Sequence, residues 1–278
     1  MGSPKHRRRS SPLPGFASGL TVTVAYLGIL LIIPLGACLI KTASLDWPQF
    51  VAAAWSARAR SAYFLTFSTS AIAAVIDVIL GTLLAWVLVR YEFPGRRLMD
   101  AVIDLPFALP TAVAGLVYSS LYVKNGWFGQ FLIPLGIQGS YSRLAIVLVL
   151  VFLGLPFVVR TIQPLLGSLE GDIEEAAASL GANRWQTFWR VILPSLRPAL
   201  ATGFALAFAR GLGEYGSVVF VSGNMPFKTE IAPVLIVQKL DEYSYPEATA
   251  IAVVLLAGSL LALGLISWLE ARNRRYAS

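Results

Sequence analysis

The chain has 278 residues, 56% of them hydrophobic and only 13% charged, with a net charge of +7. A soluble globular domain carries about 25% charged residues, so this composition and a mean hydropathy of +0.70 point to a membrane-embedded chain. A basic balance can signal nucleic acid, but here the basic residues stand at the ends of apolar runs, and the bilayer is the expected partner, not nucleic acid. One cysteine, Cys38, builds no disulfide framework, and the one histidine, His6, lies in the N-terminal tail. Neither a metal site, nor a bound cofactor, nor a catalytic constellation is expected in the body of the chain.

The first 19 residues are rich in Pro, Ser and Arg and are expected to be a disordered tail. A bilayer core takes about 20 apolar residues as a helix. Six runs qualify: 20–40, 61–89, 101–123, 140–162, 198–222 and 248–269. The second contains Asp77, the third Asp104, the fifth Arg210 and Glu214. The uncharged part of the fourth is short, so its flanks are expected to complete it, with Arg143 and Arg160 snorkelling towards the headgroups. The pattern predicts an all-α integral membrane fold of six transmembrane helices. Residues 20–269 form the permease-like body, 163–197 a loop between runs four and five, and 1–19 and 270–278 the tails.

Orientation follows from Lys and Arg placement. With the N-terminus inside, the inner segments hold fourteen of these residues, among them Arg7, Arg8, Arg9, Arg96, Arg97, Arg184 and Arg190, and the outer segments seven. Both termini are therefore expected on the cytoplasmic side. Leu35-Gly36-Ala37-Cys38 resembles a lipoprotein cleavage box, but the apolar run is long enough to span and continues through Leu39 and Ile40, so cleavage is not expected. The segment from Met225 to Tyr245 alternates apolar and polar stretches and is too short to span twice. It is expected to cap the outer side.

The inner loop is the most informative segment. Asp172 followed by Glu175 reads as a capping box. Ile173, Ala176, Ala177 and Leu180 share one face, and Gly181 ends a helix of two turns. Asn183 and Gln186 allow a second start, followed by Trp185, Phe188, Trp189 and Ile192 as an apolar stripe that Pro194 is expected to stop. A short capped helix on the cytoplasmic side suits docking into a groove; packing under the bundle or lying on the headgroups is the plainer alternative.

Glu175-Ala176-Ala177, Gly181 and Val191-Ile192-Leu193-Pro194 at this spacing resemble the EAA signature of binding-protein-dependent ABC importer permeases, with Val191 where the family has Ile. Tyr91-Glu92-Phe93-Pro94-Gly95, the stretch Leu105 to Gly115, Gly213-Glu214-Tyr215-Gly216-Ser217-Val218 and Thr229-Glu230-Ile231-Ala232-Pro233 resemble the T-type permease subunit of sulfate/thiosulfate importers. The resemblance implies a type I importer permease in the bacterial inner membrane. It implies two ABC ATPase subunits, which bind the ATP and Mg, a W-type second permease and a periplasmic sulfate-binding protein as partners. It also implies that Glu174, Glu175, Ala176, Ala177, Gly181, Arg184 and Trp185 form the ATPase-coupling surface. This chain has no Gly-x4-Gly-Lys-Ser/Thr phosphate loop of its own. A molybdate/tungstate permease shares the EAA loop, and a stand-alone secondary anion transporter is the alternative from another class. An intramembrane enzyme lacks a plausible nucleophile and base here.

An oxyanion crossing the membrane needs some positive potential and loosely held hydroxyl or amide donors. Arg210 is the one cation deep in a run, and Glu214, Tyr215 and Ser217, with Ser119 and Ser120 of the third run, complete the candidate pathway. Arg210 could instead pair with Glu214 one turn later, or with Asp77, and serve packing alone. Gly211, Gly213 and Gly216 are expected to loosen the helix there, and Pro106 and Pro110 to interrupt the third run near a possible gate.

Overall fold

The computed structural model describes residues 15–169 and 171–275, and among them every regular element is helical. The helices are α1 (Phe16–Thr42), α2 (Trp47–Ala54), α3 (Ala57–Arg90), α4 (Arg96–Ile103), α5 (Leu105–Ala108), α6 (Thr111–Tyr122) and α7 (Gly129–Leu132). After them come α8 (Arg143–Ser168), α9 (Gly171–Ser179), α10 (Arg184–Leu212), α11 (Val218–Val221), α12 (Ala232–Asp241) and α13 (Tyr245–Arg275). Five of them, α1, α3, α8, α10 and α13, are long and apolar enough to cross a bilayer. Residues 1–14, with His6 and Arg7 to Arg9, and residues 276–278 lie outside the described part. The N-terminal tail expected through residue 19 gives way to helix at Phe16, and α13 extends through most of the expected C-terminal tail.

The core is a three-helix packing of α3, α8 and α10, with Leu88, Val158, Val159, Ile162, Leu166 and Leu196 fully buried. Two glycines allow this approach. A Cβ on Gly81 of α3 would meet Val158 Cγ1 at 2.7 Å, and one on Gly203 of α10 would meet the Val158 Cα at 3.2 Å. Small residues of this kind let backbones close up where no hydrophobic effect drives helices together. Local caps set the starts: Ser56 accepts from the Ala59 N–H at 3.1 Å, and Ser142 from the Ala145 N–H at 3.2 Å. The Tyr63 hydroxyl donates to the carbonyls of Ala54 (3.1 Å) and Ile251 (3.3 Å), tying α13 to the outer end of α3. The second half of α1 leans on α13, where Cys38 Sγ sits 4.0 Å from the Thr249 carbonyl.

Prolines shape two of the expected spans. The run 101–123 is interrupted at its prolines, as expected, into α4, α5 and α6. Pro106 stands near the start of α5, and Pro110 holds Leu109 extended (φ −84°, ψ 128°), as the residue before a proline must be. The broken segment still runs the length of α8: Asp104 meets Arg160, and a Cβ on Gly139, just before α8, would touch Tyr122 at 2.7 Å. Arg143 to Arg160 is about 26 Å at 1.5 Å per helical residue.

The fifth run starts at Arg184 instead of 198 and ends at Leu212 instead of 222. Pro194 does not stop it. A π-turn at Phe188–Ile192 immediately precedes the proline. That wider turn accommodates the missing N–H and the ring, and the helix continues through Pro194 and Pro198.

Candidate functional site

The inner loop forms a short helix whose end is built as expected. The Ala182 N–H donates to the Ala177 carbonyl at 3.0 Å and the Gly181 N–H to Ala178 at 2.9 Å, a Schellman closure. Gly181 takes φ +83°, the left-handed region, with nothing within 4 Å of its missing Cβ. The proposed start is corrected: α9 begins at Gly171, which sets Asp172 inside the first turn and not at the cap, while its side chain lies outside the described residues. The second start is a reciprocal capping box, with Asn183 Oδ1 accepting from the Gln186 N–H (2.8 Å) and Gln186 Oε1 from the Asn183 N–H (2.9 Å).

The apolar stripe divides. Ile192 is buried, and Phe188 meets Trp86 of α3 edge-on at 5.8 Å. Trp185 and Trp189 are exposed, as are Arg184 and, at 89%, Leu180. Glu175 and Ala176 are exposed too, Ala177 half-buried. Glu174 points the other way and forms an ion pair with Arg90, the last residue of α3. The Arg90 guanidinium lies 5.5 Å from the Trp86 ring centre. The short helix is thus pinned by one face to the end of α3 and, through Trp86 and Phe188, to the start of α10. Its other face is open.

At the far end of α10, Arg210 forms an ion pair with Glu214 one turn on. Glu214 is 2% exposed, and its Oε1 also accepts from the Ser217 N–H (2.8 Å) and hydroxyl (2.9 Å). The helix ends at Leu212, so the expected loosening at the glycines is an outright break, and Glu214 belongs to the turn that follows. That turn is clamped on α6: a Cβ on Gly115 would fall 2.4 Å from the Ser217 carbonyl, and one on Gly216 2.2 Å from Thr111 Oγ1. Tyr215 is half-buried against the Ile146, Val149 and Val218 cluster. Arg210, Glu214 and Ser217 are therefore brought together. Ser119 and Ser120 are not part of that cluster: Ser119 Oγ lies 3.4 Å from the Tyr141 hydroxyl, and Ser120 donates to the Leu116 carbonyl at 2.9 Å.

The other two intramembrane carboxylates differ from each other. Asp77 is buried between α3, α8 and α10 and makes no hydrogen bond among the described residues, to Arg210 or otherwise. Asp104 has a partner. Arg160, expected to snorkel, has carboxylate partners: its guanidinium donates to both Asp104 oxygens (2.8 and 2.6 Å) and to Asp100 Oδ1 (2.7 Å). At the N-terminal end of α3, Arg58 forks onto Glu230 (2.8 and 2.6 Å) and Gln238 (2.6 Å), fastening the segment after α11 to α3. Sequence reasoning missed Arg90 and Arg160 as partners. The one-turn pair Asp100 and Asp104 was a usable signal for Arg160, but nothing in the sequence joins Arg90 to Glu174.

Comparison with known proteins matches these features to a family. The family model described as binding-protein-dependent transport system inner membrane component matches residues 77–275. The chain is 52% identical over 257 residues to the sulfate transport system permease protein CysT of Synechocystis sp., covering 92% of this chain and 90% of that protein. It is 45% identical over 263 residues to CysT of Escherichia coli, covering 95% of each. Among solved structures it resembles a chain of a bacterial alginate ABC transporter in complex with an alginate-bound periplasmic protein, at TM-score 0.76 and 19% identity, covering 92% of this chain and 93% of that one. The last likeness concerns the fold; the first three concern descent, and by them the chain belongs to the binding-protein-dependent transport system inner membrane components.

Proposed function

We propose that this chain is the membrane-spanning permease of an ATP-driven importer that moves sulfate or thiosulfate across the inner membrane. The observation that carries the coupling half of this reading is the short helix α9. It is closed at Gly181, pinned to α3 through Glu174 and Arg90, and open on the face bearing Leu180 and Trp185. That face fits a groove on a cytoplasmic ATPase subunit. Movement there reaches α3 through an ion pair and α10 through an aromatic contact. The sulfate half rests on the 52% and 45% identities to sulfate transport system permeases.

In this reading the chain hydrolyses nothing, and two partner ATPases bind ATP and Mg. A W-type permease completes the pathway, and a periplasmic binding protein delivers the anion. Six crossings with both termini inside follow if the broken segment α4 to α6 counts as one. Arg210 and half-buried Tyr215, backed by the buried turn at Glu214 and Ser217, line the route, and exposed Ser120 beside buried Ser119 on α6 is a separate point along it. One guanidinium already shared with a carboxylate attracts a dianion without trapping it. The test is anion uptake and ATP hydrolysis by the complex in proteoliposomes, comparing sulfate, thiosulfate, molybdate and tungstate. ATP-dependent sulfate uptake that molybdate does not outcompete is expected; preference for molybdate would overturn the cargo, and uptake without ATPase subunits would overturn the class.

A further inference from the structure

Asp77 is the buried carboxylate that the site above leaves unused. It is 1% exposed, and neither oxygen has a hydrogen-bond partner among the described residues. Ser70, two turns earlier on α3, is also 1% exposed with an unpartnered hydroxyl. Ser70 faces Gly211 of α10, and Asp77 faces Gly154 of α8 close to Ala207 of α10. A Cβ on Gly154 of α8 would fall 2.0 Å from Asp77 Oδ2 and 3.3 Å from the Ala207 Cβ, so the carboxylate sits in a niche beside Ala207 that only a glycine leaves open. A Cβ on Gly211 would fall 2.9 Å from Ser70 Oγ. Between Ala207 and Gly211 on α10 stands Arg210. An unpaired carboxylate in the apolar part of a membrane bundle is costly, and intramembrane ionisable groups commonly pair with one another at functional sites.

The two carboxylates near Arg210 are not equally dependent on it. Glu214 keeps the Ser217 N–H and hydroxyl when the arginine leaves, whereas Asp77 has nothing. They also sit on different elements. Glu214 lies beyond the end of α10, in the turn clamped on α6 at Gly115 and Gly216, while Arg210 lies within α10. Gly213 lies between them, with nothing within 4 Å of its missing Cβ. Resting on the importer reading above, we propose that Asp77 is a positioning residue for transport: as α10 slides along α3 by less than one helical turn, Arg210 exchanges Glu214 for Asp77. The guanidinium then has a carboxylate in both states, and each end of the stroke has a defined stop.

The test uses the complete complex in proteoliposomes with the loaded binding protein. Asp77→Asn keeps the volume and removes the charge. It is expected to insert as the unsubstituted chain does and to lower maximal sulfate uptake about tenfold, the size of an ordinary coupling free energy, with no change in the concentration of binding protein that half-saturates uptake. Combined with Arg210→Gln, it should be no slower than the slower single variant. A static, space-filling Asp77 predicts full uptake by Asp77→Asn, and that result, or independent multiplying effects in the double variant, overturns the proposal. The second arm does not depend on Asp77. In a Cys38→Ser background, Ser70→Cys with Gly211→Cys brings two Cβ positions 3.1 Å apart, close to the ~3.5–4.5 Å of a disulfide. Oxidation should stop uptake and reductant restore it; full uptake by the oxidised protein overturns the sliding step. A complex of the unsubstituted chain that moves no sulfate sinks the importer reading and this proposal together, whereas normal transport with a silent Asp77→Asn sinks this proposal alone.

Discussion

Arg160 takes both carboxylates of a one-turn pair, Asp100 and Asp104, and so fastens α4 to the inner end of α8. Forked contacts of this kind fix geometry as well as energy, but the group is part-exposed, so its worth is about 1 kcal/mol or less. Arg160→Gln removes the fork from both carboxylates, and the thermal midpoint in detergent should fall by about 2–4 °C at most. Arg210 calls for a different measurement. Because Glu214 retains two donors at Ser217, Arg210→Ala is expected to insert normally, to slow maximal uptake, and to leave apparent affinity nearly unchanged. Arg210→Lys, which keeps the charge but not the planar fork, should recover part of the rate. Normal uptake per inserted Arg210→Ala molecule would remove the arginine from the route.

At the scale of the element, the inner loop was legible wherever its signals are local. Gly181 and the Asn183–Gln186 box are short-range devices, and both stand as their spacing predicts. Glu174, expected on the coupling surface with Glu175, instead turns to Arg90, and nothing in the sequence signals it because that ion pair joins positions 84 residues apart. The apolar stripe was legible as a pattern, yet its division into buried Ile192 and exposed Trp185 depends on where α3 ends. Prolines were legible in part. Pro106 and Pro110 marked the interruption of the third run, although hydropathy runs straight through both. Pro194 was read as a stop because a π-turn leaves no mark in composition. Two outcomes follow. Gly181→Ala places a side chain at φ +83° in open space, costing about 1 kcal/mol locally; membrane insertion should hold while co-purification with the ATPase subunits weakens. Arg90→Glu and Glu174→Arg should each uncouple ATP hydrolysis from uptake, and together restore part of the coupling, which a double-mutant cycle would read. Additive losses would mean that the pair does not transmit movement.

For the whole molecule the open question of topology turns on one segment. Five helices are long enough to cross, an odd number that by itself sends the two termini to opposite sides. The broken segment decides the count. Its start is held at Arg160 and its end lies beside Gly139, just before α8, so it climbs the same height as α8 although α6 alone has only 12 residues. If it crosses, the inner loop carrying Arg184 and Arg190 faces the cytoplasm, as the Lys and Arg distribution requires. If it does not, everything from residue 123 onward is inverted, and α9 faces the side where no ATPase stands. Reporter fusions separate the two arrangements without any transport assay. Fusions after Lys41, Gly126 and Asp241 should read outside, and those after Gly95 and Gly181 inside. Lys41 and Gly95 precede the end of the segment and read the same in both arrangements, so they serve as controls. Gly126 and Gly181 exchange sides if the segment turns back. An inside reading at Gly126 with an outside reading at Gly181 would remove the coupling helix from the ATPases, and the importer mechanism with it.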